Sequence, residues 1–124
     1  MMHSQIKRML SILVISTAIY TLPLSITQAS ETSALVKEGM KLAYSRAKGN
    51  CLACHKAGEG IMPGNIGPVL IEMKLRYPNK QKLFDKVWGK PETLVPNSMM
   101  PKFGAHGILS DEEIEKVIAY IYTL

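Results

Sequence analysis

Apolar positions at the C-terminal end of the chain repeat with the period of a helix. Ile114, Val117, Ile118, Ile121 and Leu124 follow one another at i, i+3, i+4, i+7 and i+10, which draws a single apolar stripe. Ser110 stands where an N-cap belongs, with Glu113 three residues on, the pattern of a capping box. Leu109 and Ile114 flank that cap as a hydrophobic staple. Asp111, Glu112 and Glu113 place negative charge at the positive end of the helix dipole. The stripe is predicted core, and Tyr120 and Tyr122 are given no ligand role.

A second helical pattern covers "ETSALVKEGMKLAYSRAKGN", residues 31–50, where Leu35, Leu42 and Ala43 share a face with Gly39 among them. Glycine inside a helix costs roughly 1 kcal/mol against alanine. A close helix crossing explains it, and the C-terminal helix is the natural partner. Gly49 and Asn50 are predicted to end this helix. "GPVLIEMKLRY" and "NKQKLFDKVWGKP" read as two shorter helices. Asn79 caps the second, Gly89 and Pro91 end it, and Leu83, Val87 and Trp88 face inward. No run alternates with the period of a strand. The prediction is an all-α fold without repeats or low-complexity segments.

The longest apolar run lies outside this pattern. "MLSILVISTAIYTLPLSI" follows Lys7 and Arg8 and leads into "TQAS", with small residues at Thr27 and Ala29. That is the layout of a secretory signal peptide cleaved after Ala29. The run is nearly long enough to span a membrane, so an uncleaved anchor is the alternative. Pro23 and the small residues at the cleavage site favour removal. The predicted organisation is a signal peptide at 1–29 and one domain at 30–124, exported to the periplasm and free of the membrane.

Without the leader, 13 basic residues face 10 acidic ones. So short a domain buries only roughly 60–65% of its surface, a marginal core that calls for a disulfide, a metal or a cofactor. Cys51 and Cys54 are the two cysteines of the chain. A bridge between them would close a tiny loop and add little stability.

"CLACH", residues 51–55, gives them another use. C-x-x-C-H is the attachment pattern of c-type haem. Cys51 and Cys54 add to the porphyrin vinyl groups, and His55 becomes the proximal iron ligand. One helical turn brings both sulfurs to one edge of the macrocycle. A thiol redox pair is the alternative. Export, the lack of a preceding strand and the lack of further cysteines for zinc weigh against the other uses of such a motif.

A six-coordinate haem needs a second axial ligand, ordinarily His or Met. The candidates are His106, Met40, Met62, Met73, Met99 and Met100. Met62 follows His55 too closely to reach the opposite haem face. Met40 and Met73 belong to helical patterns, where core packing is their ordinary role. "NSMMPKFG", residues 97–104, has enough chain before it to pass around the porphyrin edge. Proline drives the preceding residue towards extended angles, so Pro101 braces Met100. Met99 then points the other way. Met100 is the favoured iron ligand, and His106 is loop material.

These residues together resemble class I cytochromes c: a glycine-bearing N-terminal helix, CxxCH, Gly67-Pro68, a Met-Pro loop and a capped C-terminal helix. The resemblance implies a small fold wrapped around one haem c, ligated by His55 and Met100. It also implies that the Pro68 carbonyl accepts a hydrogen bond from the His55 imidazole.

"GNCLACHKAGEGIMPGNIGPVL", "RYPNKQKLFDKVW" and "MMPKFGAHGILSDEEIEKVIAYIYTL" are similar, more narrowly, to the SoxX family of monohaem cytochrome subunits. One departure is Lys102, where many members have a second proline. This likeness implies a periplasmic heterodimer with a SoxA-like cytochrome subunit, together an L-cysteine S-thiosulfotransferase. Such a complex oxidatively joins thiosulfate to a cysteine of the carrier SoxYZ and releases two electrons. The chemistry belongs to the SoxA side. This chain would pass electrons to a downstream soluble cytochrome c, with no catalytic residue of its own. A free-standing monohaem carrier is the second reading.

Lys74, Arg76, Lys80, Lys82, Lys86 and Lys90 crowd one region, with Glu72 and Asp85 interleaved. They suit either the solvated face of two short helices or a docking face for an acidic partner. A basic balance alone makes no case for nucleic acid.

Overall fold

A computed structural model describes residues 25–124. The predicted leader lies outside the described residues up to position 24, and the predicted cleavage point falls within the first helix. Four α-helices follow in order: α1 (Ser25–Tyr44), α2 (Met73–Arg76), α3 (Lys80–Trp88) and α4 (Asp111–Ile121). Two short 3-10 turns, Cys51–Ala53 and Pro91–Thr93, stand between them. Among the described residues the sole β feature is an isolated bridge between Ala57 and Leu70, so the all-α prediction holds. No described helix is long and apolar enough to cross a membrane.

The frame is the crossing of α1 on α4. Ile114, Val117, Ile118 and Ile121 of α4 are buried, with Ile114 and Ile118 completely so. Each such side chain contributes about 1.5–3 kcal/mol through burial. The capping box is formed: the Ser110 hydroxyl accepts from Glu113 N–H, and a Glu113 carboxylate oxygen accepts from Ser110 N–H. Leu109 is buried beside Ile114.

On α1 the face in contact keeps Gly39, Leu42 and Ala43 of the predicted one and takes Val36 in place of Leu35. Ala43 and Gly39 are buried and Val36 packs against the core, whereas Leu35 is 44% exposed. The close approach at Gly39 sets the helix rotation, and Val36 and Ala43 share its side at i−3 and i+4. Lys116 adds a polar clasp, reaching Glu112 at 2.7 Å on its own helix and Glu38 at 3.0 Å on α1. These two carboxylates push the lysine up to about 12.

Two predicted helix bounds are also corrected. α1 ends at Tyr44, and residues 45–49 coil into turns in which Gly49 N–H donates to Leu42 O. Asn50 then takes the left-handed conformation at φ +46°. In the segment predicted helical from Gly67, only Met73–Arg76 is helix. The preceding residues form no helix: Leu70 N–H is committed to Lys56 O across the isolated bridge, and Glu72 turns left-handed at φ +51° just before Met73. α3 agrees with its prediction: the Asn79 side chain caps it by accepting from Gln81 N–H, and Gly89 closes it at φ +93°. Leu83, Phe84 and Val87 are buried along it.

Candidate functional site

Cys51 to His55 form a compact turn at the end of the α1–α4 frame. Ala53 N–H donates to Asn50 O, Cys54 N–H to Cys51 O, and His55 N–H to Cys51 O at 2.9 Å. Both thiols are free and half-buried. Burial pushes the Cys51 thiol up to about 11. Thiol redox proteins depend on the opposite shift, because the thiolate is their nucleophile.

His55 Nδ1 lies 2.7 Å from the Pro68 carbonyl oxygen. A carbonyl only accepts, so Nδ1 carries the proton and Nε2 presents its lone pair. A metal-bound histidine is held and oriented in this way. Pro68 therefore does what the resemblance implied.

The loop that carries Pro68 is moulded onto the motif by two glycines. A Cβ at Gly67 would lie 2.3 Å from His55 Cε1, and one at Gly64 would lie 2.0 Å from Ala53 O. Their amides bond the motif as well: Gly67 N–H donates to Cys54 O and Gly64 N–H to Leu52 O, both at 2.8 Å. Arg76 donates to Val69 O and fixes the outgoing strand of this loop. Neither glycine stands out in the sequence as a packing residue. Their spacing of three residues, just after the motif, was the available signal.

Behind the motif sit two tyrosines that the sequence reading left unassigned. Tyr44 of α1 and Tyr120 of α4 meet edge to face, with ring centroids 5.7 Å apart. Their hydroxyls are 2.6 Å apart, and Tyr44 donates to Ala57 O at 2.8 Å. Burial and the Tyr44 hydroxyl push the Tyr120 phenol upward. The pair ties the chain leaving His55 to both long helices.

Met100 is placed on a different loop, between the Pro91–Thr93 turn and α4. It is half-buried and packs against the core, while Met99 is 78% exposed. Met100 N–H donates to Ser98 Oγ at 3.2 Å. Upstream, Lys86 of α3 donates to Thr93 O. Downstream, Phe103 N–H donates to Val87 O at 3.1 Å. The loop is thus pinned to α3 at both ends. Met73 is fully used in the core at 2% exposure, Met40 lies on the outer side of α1, and Met62 and His106 are exposed.

The residues present fit a covalent haem. Two free thiols flank one turn, and the adjacent imidazole keeps Nε2 available. Ile66 and Val69 beside Pro68, and Leu94 and Val95 upstream of Met100, are exposed aliphatic side chains in the two loops that carry the candidate site. In the basic region, Arg76 and Lys86 donate to backbone carbonyls. Lys80 pairs with Glu115 and Lys90 with Asp85. Lys74 and Lys82 are exposed.

Comparison with known proteins agrees with this geometry. The family model for cytochrome c matches residues 36–124. An uncharacterized lipoprotein of Aquifex aeolicus (strain VF5) is 36% identical over 97 residues, covering 74% of this chain and 47% of the relative. The chain spans about half the length of that relative.

Proposed function

The chain belongs to the cytochrome c family, and on that premise we propose that it is the monohaem electron-transfer subunit of a SoxAX-type complex. Family membership implies electron transfer through a covalently attached haem c. The His55–Pro68 bond is the observation that carries the site assignment, because it leaves Nε2 free for iron. Cys51 and Cys54 would anchor the group, and Met100 would supply the second iron ligand.

The haem, when bound, supplies a one-electron couple, and axial methionine raises its potential relative to histidine. Every other contribution comes from the chain. Pro68 fixes the ring plane of His55 through its carbonyl. Gly67 lets the loop close over the imidazole. His55 and Met100, both bound to the iron, would leave it no position for substrate, which suits passing electrons.

Support for the finer assignment lies in the segments that carry the SoxX resemblance. "PGNIGP" moulds onto the motif through Gly64 and Gly67. "RYP" offers the Tyr77 carbonyl to the Tyr122 hydroxyl of the C-terminal segment. "MPKFGAHG" carries Met100 and the glycine packed under Trp88. The segments that carry the resemblance therefore lie at the motif, beside the C-terminal segment and under Trp88. In this reading the chain works in the periplasm, paired with a SoxA-like subunit and exchanging electrons around a SoxYZ-type carrier.

Co-expression with a SoxA-like chain tests the assignment. A stable heterodimer is expected, in which thiosulfate plus the carrier protein reduces the haem of this chain. Purification as a monomer that the other chain neither binds nor reduces would leave the free-standing carrier as the function.

A further inference from the structure

Trp88 closes α3, and its surroundings are unlike those of an ordinary core aromatic. The indole is half-buried and lies directly over the backbone of Gly104. A Cβ at 104 would be 2.2 Å from Trp88 Cδ1 and 2.4 Å from Nε1. The indole Nε1–H donates to Asp111 Oδ1 at 2.9 Å, at the first residue of α4. The Trp88 carbonyl accepts from both Gly104 N–H and Ala105 N–H, at 3.2 and 3.1 Å. One residue thereby holds three things together: the end of α3, the segment just after Met100-Pro101, and the start of α4.

The neighbouring Gly89 tightens the same strap. It sits at φ +93°, and a Cβ there would come within 2.4 Å of Lys102 Cβ. Lys102 is the second residue after Met100. Gly89 against the base of Lys102 and Gly104 against the Trp88 indole thus let the end of α3 and the methionine loop close tightly on each other. Such contact leaves the loop little freedom to slide.

We propose that Trp88 is a positioning residue for the distal iron ligand, and that its bond to Asp111 latches the Met100 loop against the α4 N-terminus. The proposal rests on Met100 being the axial ligand. Thioether sulfur is a weak neutral ligand, so its residence on iron depends on how firmly the chain presents it. Releasing Met100 requires the 98–104 segment to move away from α3. The indole over Gly104 and the Nε1–Asp111 bond resist that motion.

The experiment follows imidazole binding to the ferric holoprotein, because imidazole enters only when the methionine leaves. Trp88→Phe keeps an aromatic ring over Gly104 and loses the donor. Asp111→Ala loses the acceptor, and Asp111→Asn restores one. Trp88→Phe and Asp111→Ala are expected to bind imidazole about three- to tenfold more readily, the effect of one net hydrogen bond. Asp111→Asn should behave as wild type. Amide exchange at Phe103, Gly104 and Ala105 should quicken in the first two variants only. Val117→Ala, a core change away from the loop, controls for general loss of stability and should leave imidazole binding unchanged at sub-denaturing conditions.

Wild-type imidazole binding in both Trp88→Phe and Asp111→Ala overturns the latch. An equal rise in Val117→Ala also overturns it, by assigning the effect to global stability. Failure of the ligand reading is distinguishable, since a wild-type ferric spectrum without a sulfur-to-iron band rejects Met100 before any variant is compared.

Discussion

Gly39 of α1 lies so close to Lys116 of α4 that a Cβ at position 39 would sit 1.8 Å from the Lys116 carbonyl oxygen. The crossing is backbone against backbone, and no side chain larger than hydrogen fits between. Gly39→Ala gains helix propensity of about 1 kcal/mol and still costs more, because overpacking against main chain costs about 1–3 kcal/mol. Urea unfolding of the holoprotein should show a net loss of up to about 2 kcal/mol. A variant as stable as wild type would mean that the helices separate freely.

Met100 and Met99 divide the distal loop between them, one packed and one exposed. Met100→Ala should abolish the weak sulfur-to-iron absorption band of the ferric protein, and Met99→Ala should keep it. The band surviving in Met100→Ala and vanishing in Met99→Ala would transfer the ligand role to Met99.

Gly67 packs against the His55 imidazole, where a Cβ would lie 2.3 Å from Cε1. Gly67→Ala drives a methyl group into the His55 ring and should tilt it or break its bond to Pro68. Covalent attachment through Cys51 and Cys54 does not depend on that bond. The variant should therefore keep its haem through acid-acetone extraction yet show a shifted reduction potential. An unchanged potential would show that the loop yields rather than the histidine.

Glu113 links acid stability to the C-terminal cap. Its carboxyl is held below the usual range by the Lys48 ammonium at 2.9 Å first and the Ser110 backbone N–H second. A carboxyl lowered in the folded state stabilises fully above its ordinary value of 4.5. That contribution is lost as pH falls through the lowered folded value. Glu113→Gln keeps an oxygen for Ser110 N–H and removes the titration. Its stability relative to wild type should be lowest at neutral pH and should close on wild type as the solution is acidified. A gap that does not narrow in acid would assign the effect to the cap alone.

The C-terminal helix was readable almost residue by residue, because its cap, staple and apolar stripe are local signals within one element. The haem motif was readable for the same reason, its chemistry resting on five consecutive residues. Gly39 was readable as a crossing point because a glycine inside a helix needs an explanation. The α1 face was misread at Leu35, since a helix with weak amphipathicity takes its rotation from its partner. The segment from Gly67 was misread as helix because its helical composition yields to the bridge between Ala57 and Leu70, a contact 13 residues apart.

Ser110, Glu113, the apolar stripe, Cys51, Cys54 and His55 thus followed from the sequence by itself, because covalent bonds and helical geometry link near neighbours. Only the tertiary structure decided the placing of Gly64 and Gly67 on the motif, the Tyr44–Tyr120 pair on Ala57 O, and Trp88 over Gly104. Each joins parts of the chain that no periodicity relates. Each depends on how closely two backbones approach, which is settled when the helices pack and the remaining hydrogen bonds find partners.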